Sequence, residues 1–273
     1  MKVLLFGAGW IGQQFISNTT HNVIIATVRA EDALDEIQRI NPDCVISFLG
    51  RTHGPGCSSI DYLEDKLYEN MRDNFYAPFN LASICEKLNI HFVYLGTGCI
   101  YTGGTFTEEH TPNFFGSGYS IVKGYTDKVL RHFKNTLQLR IRMPISKLVS
   151  GRNLIDKLVS YPNICSIPNS MTVLDDMWPI IDKMIELKEC GVYNLTNPGV
   201  TDHDWILREY SKYTPHTWTL ISYEDQNIKC GRSNNKMDTT KLELFCDEYG
   251  LELLPIKESI LRCFCYRFSG LSS

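Results

Sequence analysis

Tyr119 and Lys123 stand four residues apart, a phenol and an amine on one face of a helix if that segment is helical. An ammonium beside a phenol lowers its pKa from about 10 and makes proton transfer feasible at neutral pH. Thr97 ends the apolar run 91–96 that precedes this helix. The carboxyl ends of strands are where ligands bind in open α/β sheets. Thr97, Tyr119 and Lys123 are therefore expected to converge on a carbonyl held beside a nicotinamide. The competing reading is an ordinary amphipathic surface helix. Spacing alone does not decide, because Tyr62 and Lys66 repeat it.

What favours the chemical reading is Gly7-Ala8-Gly9-Trp10-Ile11-Gly12, directly after the first apolar run. Its glycines suit a tight strand-to-helix turn over which a pyrophosphate meets the free amides of a helix N-terminus. The second run ends in Thr27-Val28-Arg29, where a site for NAD usually carries an acid. Arg29, with Arg51 after the third run, points to a 2′-phosphate and so to NADPH over NADH, unless both arginines are solvated surface residues.

The elements that position these groups follow from short apolar runs at 3–6, 23–28, 44–49, 92–95 and 137–141. The first four lack polar alternation, and the set reads as parallel strands buried on both faces. Helices are expected at 30–40, 67–88 and 117–133, then at 173–187, 203–210 and 239–248. The fold class is α/β, a Rossmann-type doubly wound parallel sheet with a smaller C-terminal substrate-binding region. The dinucleotide domain spans 1–145 and the substrate region 146–273, with 171–198 returning to the sheet.

A net charge of −4 without a basic block argues against nucleic acid as a partner. No apolar run reaches about 18 residues, which argues against a membrane span. Ten scattered cysteines without a CxxC pair read as reduced thiols in a cytoplasmic protein. The start of the chain reads as a strand rather than a leader, since glycines break its apolar stretch. Seven histidines lack metal-ligand spacing, His110 and His203 read as surface residues, and the chemistry calls for no metal.

The glycine turn, the strand-end Thr and the YxxxK helix together resemble the extended short-chain dehydrogenase/reductases across essentially the whole chain. Segments 96–101, 142–146, 167–172, 194–199 and 232–235 resemble one subgroup, the bifunctional UDP-4-keto-6-deoxyglucose 3,5-epimerase/4-reductases. That subgroup forms the C-terminal half of plant rhamnose synthases and is free-standing in giant viruses. The resemblance implies UDP-4-keto-6-deoxyglucose as substrate, NADPH as cofactor and UDP-L-rhamnose as product. Tyr119 would give the proton to the C4 oxygen, Thr97 would hydrogen-bond that oxygen, and Lys123 would hold the ribose.

Inverting C3 and C5 needs a further base and acid. Cys99 resembles the catalytic cysteine of the related GDP-fucose synthases. Their histidine has no counterpart in 152–157, and Lys157 takes its place, as in the plant enzymes. Which of the two is base stays open, as do their plainer roles as a small buried thiol and a solvated lysine. Met143 and Pro144 are implied at the cofactor, and Asn169, Thr172, Arg232, Asn234 and Asn235 at the substrate. The asparagines are equally readable as turn formers. A homodimer through the helices near 67–88 and 117–133 is implied. A reductase acting alone and a non-catalytic NADP-binding regulatory subunit are the alternatives.

Overall fold

The computed structural model describes residues 1–269. Its elements are β1 (Lys2–Phe6), α1 (Trp10–Asn18), β2 (Asn22–Ile25), α2 (Ala33–Ile40), β3 (Cys44–Ser47), α3 (Leu67–Met71), α4 (Ala77–Leu88), β4 (His91–Thr97), β5 (Thr105–Phe106), α5 (Gly118–Leu130) and β6 (Thr136–Ile141). They continue as β7 (Pro144–Ile145), α6 (Leu154–Ser160), β8 (Asn163–Ile164), β9 (Thr172–Val173), α7 (Leu174–Leu187), β10 (Gly191–Asn194), α8 (His203–Tyr210), β11 (Thr219–Leu220), β12 (Lys236–Met237), α9 (Thr240–Tyr249) and α10 (Ile256–Phe268).

Six strands form one parallel sheet in the order β10-β6-β4-β3-β1-β2. Alternate residues along a strand face opposite sides. Val3, Leu5, Ile46, Val93 and Leu139 therefore pack against α1, α7 and α9, while Leu4, Phe6, Val45 and Phe92 pack against α2 and α4. β2 departs from the expectation of strands buried on both faces. It is an edge strand with no strand beyond it among the described residues, and Ile25 is 45% exposed.

The chain runs from β1 to β2 on one side and returns to β3 on the other, which opens a crevice at the carboxyl ends of β1 and β3. β2 stops at Ile25 rather than residue 28, because the buried Glu36 carboxylate accepts the Thr27 amide (3.1 Å) and hydroxyl (2.6 Å) and draws the chain off the sheet. The helix expected at 67–88 is interrupted by one π-helical turn, Arg72–Tyr76. There the Asn74 side chain bonds both the amide and the carbonyl of Arg51, each at 2.9 Å, and so fixes the segment after β3.

A second apolar cluster joins α6, α8 and α10 through Ile155, Leu158, Ile206, Leu207, Ile260 and Phe264. Short parallel pairs tie this lobe and its loops to the sheet, β7 to β9 and β12 to β5. His203 is half-buried rather than a surface residue, since opening α8 aims its ring at the Cys165 carbonyl, 2.9 Å away. No helix among the described residues is long and apolar enough to cross a membrane.

Candidate active site

The glycine turn has the geometry a dinucleotide needs. Gly7 has φ +94°, and a Cβ there would lie 2.8 Å from the Leu49 amide. A Cβ on Gly12 would lie 2.4 Å from the Gly7 carbonyl, so only glycine lets α1 approach β1 this closely. A Cβ on Gly9 would meet nothing within 4 Å, leaving that position open to a ligand. Trp10 and Ile11 open α1, whose first turn has no side-chain cap and no acid, so its amides are available to an anion.

Beside the turn lies a cavity of about 420 Å³. Gly7, Arg29, Glu31, Arg51, His53 and Arg72 are among its lining residues. Arg51 and Arg72 both bond Asp73, Arg72 at 2.7 Å. Arg72, which opens the π-helical turn, lines the cavity as well and was not singled out in the sequence. Met143 takes φ +41°, uncommon for a side chain, and turns the chain from β6 into Pro144 of β7.

Thr97, Tyr119 and Lys123 come together at the carboxyl end of β4, exposed by 8, 7 and 5% respectively. α5 begins where Ser117 accepts the Ser120 amide at 3.1 Å, and Glu64 accepts the Gly118 amide at 2.8 Å. This places Tyr119 in the first turn, close enough to Thr97 for the hydroxyl to act on the phenol. The Cys99 amide donates to Thr97 Oγ1 at 3.1 Å, and Cys99 lies close enough to act electrostatically on Tyr119, Lys123 and Arg142.

The electrostatics differ from the expectation in one respect. Burial, reinforced by Cys99, pushes the Tyr119 phenol above its ordinary value, while Thr97 draws it back. Lys123 does not engage the phenol, because its ammonium donates instead to the Tyr94 hydroxyl. Burial lowers Lys123 to about 8, against the favourable fields of Asp127 and Cys99. A phenol kept protonated suits a proton donor to a carbonyl oxygen.

Arg142 lies 1% exposed behind the Gly98-Cys99 turn, and all its nitrogens are bonded. Nη1 donates to Gly98 O (3.0 Å) and Ser233 Oγ (2.8 Å), Nη2 to Asn169 Oδ1 (2.7 Å) and Ser233 O (3.0 Å), and Nε to Ser170 O (3.3 Å). Asn235 and Thr172 complete this lock, Asn235 on the Gly98 and Tyr101 carbonyls and Thr172 on the Arg142 amide. Asn234 accepts from Asn169 at 2.9 Å. The Arg232 guanidinium is held by Asp61 at 2.8 and 3.1 Å.

Lys157 lies on α6, lowered by burial and by Arg152. Arg152 donates to Thr52 at 3.0 Å, and both cations act on His53. Cys99, in the turn after β4, and Lys157, on α6, thus have different neighbours.

The parallel sheet, the glycine turn and the Thr-Tyr-Lys set at its rim define a dinucleotide-binding enzyme of the Rossmann type. The chain belongs to the NAD dependent epimerase/dehydratase family, whose model matches residues 8–160. It is similar to the L780 UDP-rhamnose synthase of Acanthamoeba polyphaga mimivirus, whose crystal structure superposes with a TM-score of 0.92 at 45% identity, over 97% of this chain and 99% of that one. It is 38% identical to a bifunctional dTDP-4-dehydrorhamnose 3,5-epimerase/dTDP-4-dehydrorhamnose reductase of Arabidopsis thaliana, over 83% of this chain and 78% of that protein. A trifunctional UDP-glucose 4,6-dehydratase/UDP-4-keto-6-deoxy-D-glucose 3,5-epimerase/UDP-4-keto-L-rhamnose-reductase of the same plant is 36% identical over 96% of this chain, which spans 41% of that longer protein.

Proposed function

We propose that this protein converts UDP-4-keto-6-deoxyglucose into UDP-L-rhamnose by 3,5-epimerisation and NADPH-dependent 4-reduction. The observation that carries the reading is the gathering of Thr97, Cys99, Tyr119 and Lys123 at one strand end beside the glycine turn, in a chain so similar to a UDP-rhamnose synthase. The nicotinamide cofactor supplies hydride to C4. Tyr119 gives its proton to the C4 oxygen, Thr97 donates a hydrogen bond to that oxygen, and Lys123 holds the ribose hydroxyls.

The C4 ketone makes the hydrogens at C3 and C5 acidic, and Cys99 and Lys157 exchange them from opposite faces of the sugar. Arg29, Arg51 and Arg72, lining one cavity, support NADPH over NADH through charge on the 2′-phosphate. Arg232 and Asn234 form the substrate side, where Arg232 exchanges Asp61 for a phosphate of the nucleotide, whereas Asn169, Thr172 and Asn235, expected at the substrate, are 0–4% exposed and bonded within the Arg142 lock, so they support that side from beneath. Exposed apolar side chains on α3, α5 and the turn between α3 and α4, Leu67, Tyr68, Tyr76 and Tyr125, support a homodimer through these helices.

A 4-keto-sugar reductase acting alone is the second reading. It is favoured by the neighbours of Lys157, which are Arg152 and His53 rather than Cys99. The test is NADPH oxidation with the UDP keto-sugar as substrate, repeated with Cys99→Ser. The proposal expects oxidation by the parent chain and loss of rhamnose formation in the variant. Rhamnose formation that survives Cys99→Ser unchanged removes the epimerase assignment.

A further inference from the structure

Lys123 is surrounded in an unusual way. The residue is 5% exposed, yet among the described residues the hydrogen-bond acceptor of its ammonium is neutral, the Tyr94 hydroxyl. The same nitrogen stands 4.7 Å from the centre of the Tyr94 ring. Tyr94 lies in the middle of β4, is 1% exposed, and packs in the apolar layer beneath α4. Its hydroxyl has one hydrogen-bond partner among the described residues, Lys123.

The charged and titratable groups facing this nitrogen are few. Asp127 follows one turn later on α5, but its carboxylate is committed to Arg140 at 2.7 and 2.9 Å and to Arg131 at 3.2 Å. Cys99 acts from the turn after β4, and Tyr119 acts on Tyr94 from the first turn of α5. From the β3 side come neutral groups. A Cβ on Gly50 would lie 3.8 Å from the ammonium and 3.3 Å from Asn74 Oδ1. A buried ammonium with three donors and one acceptor turns freely about its last bond unless that acceptor fixes it. Tyr94 is that acceptor, and its own proton serves the amine when Lys123 is neutral.

We propose that Tyr94 is a positioning residue, whose buried hydroxyl and ring hold the Lys123 ammonium in place so that its two remaining N–H donors face the cofactor ribose and the Tyr119 phenol. This rests on the reductase reading of Tyr119 and Lys123. Tyr94→Phe keeps the ring and its packing and removes only the oxygen. A hydrogen bond to a charged group is strong enough for its loss to lower kcat about tenfold. The same loss moves the alkaline limb of the kcat profile about one pH unit lower, because the variant stabilises the protonated amine less. The KM for NADPH changes less than kcat.

The test that does not depend on turnover is NMR titration of protein labelled with 15N in its lysine side chains, with the Lys123 signal assigned by its absence from Lys123→Met. Tyr94→Phe should lower the Lys123 midpoint by about one pH unit. In the Lys123→Met background, Tyr94→Phe should leave the residual activity unchanged. An identical midpoint in parent and Tyr94→Phe, or an additive loss in the double variant, overturns the proposal. A lowered midpoint in a protein that turns over no keto-sugar upholds the positioning role and refutes the functional reading instead. Should Tyr94→Phe not fold, Tyr94→Trp with the same titration decides, since it too lacks the hydroxyl.

Discussion

Replacing Lys123 by methionine should cut turnover to a small residual level and at the same time make the protein more stable. Burial holds the amine at about 8, whereas a solvated lysine titrates at 10.5. Between these values the unfolded chain binds a proton that the folded chain lacks. The folded state carries the whole cost of the buried ammonium below pH 8 and is relieved of it as pH rises through 10.5. That gap of about 2.5 pH units corresponds to roughly 3 kcal/mol. Methionine leaves the Tyr94 hydroxyl without a partner, which takes back about 1 kcal/mol. The net gain is roughly 2 kcal/mol at neutral pH, a rise in Tm of about 4–8 °C for a chain of this size. Paired thermal melts without nucleotide, at about pH 7 and about pH 9.5, give the assay. The advantage of Lys123→Met should be largest at the lower pH and shrink at the higher one. A variant that melts at or below the parent near pH 7, or an advantage that does not change with pH, refutes the reasoning.

Tyr119→Phe should cut reduction by a factor of about 10² or more while nicotinamide cofactor affinity, followed by fluorescence, stays nearly constant. Gly12→Ala sets a Cβ 2.4 Å from the Gly7 carbonyl, so it should cost about 1–3 kcal/mol of stability and weaken cofactor binding, read from melts with and without nucleotide. Arg142→Met strips partners from Gly98, Asn169, Ser170 and Ser233; a loss of about 2–4 kcal/mol in urea unfolding is expected, moderated by removal of a buried charge. Arg72→Ala should weaken NADPH about tenfold, roughly 1.4 kcal/mol, and leave NADH unchanged in binding titrations.

The glycine turn, Thr97 and the Tyr119 to Lys123 pair were legible because each depends on local spacing, after a strand or along one helical turn. The decoy at Tyr62 and Lys66 shows what the spacing lacks. Tyr62 lies in the 3-10 turn Ile60–Leu63 rather than in a helix that follows a strand, and its hydroxyl donates to Glu69 at 2.9 Å. Long-range partners were not legible. Asp61 and Arg232 are separated by 171 positions, and nothing local to either announces the pair. Arg142 was no more legible, since its partners lie 27 to 91 positions away. α10 was missed although Ile256, Ile260, Cys263 and Phe264 have helical spacing, because charged residues break the run between them. The partner of Lys123 could not be read, since Tyr94 is an ordinary aromatic in an apolar strand until the sheet brings α5 across it.

Both chemistries are read at once by NMR of the product formed from UDP-4-keto-6-deoxyglucose and NADPH in deuterated water. UDP-L-rhamnose carrying deuterium at C3 and C5 is the predicted result. A C4-reduced sugar with neither position exchanged, or a keto-sugar returned unchanged in the presence of bound NADPH, contradicts the account.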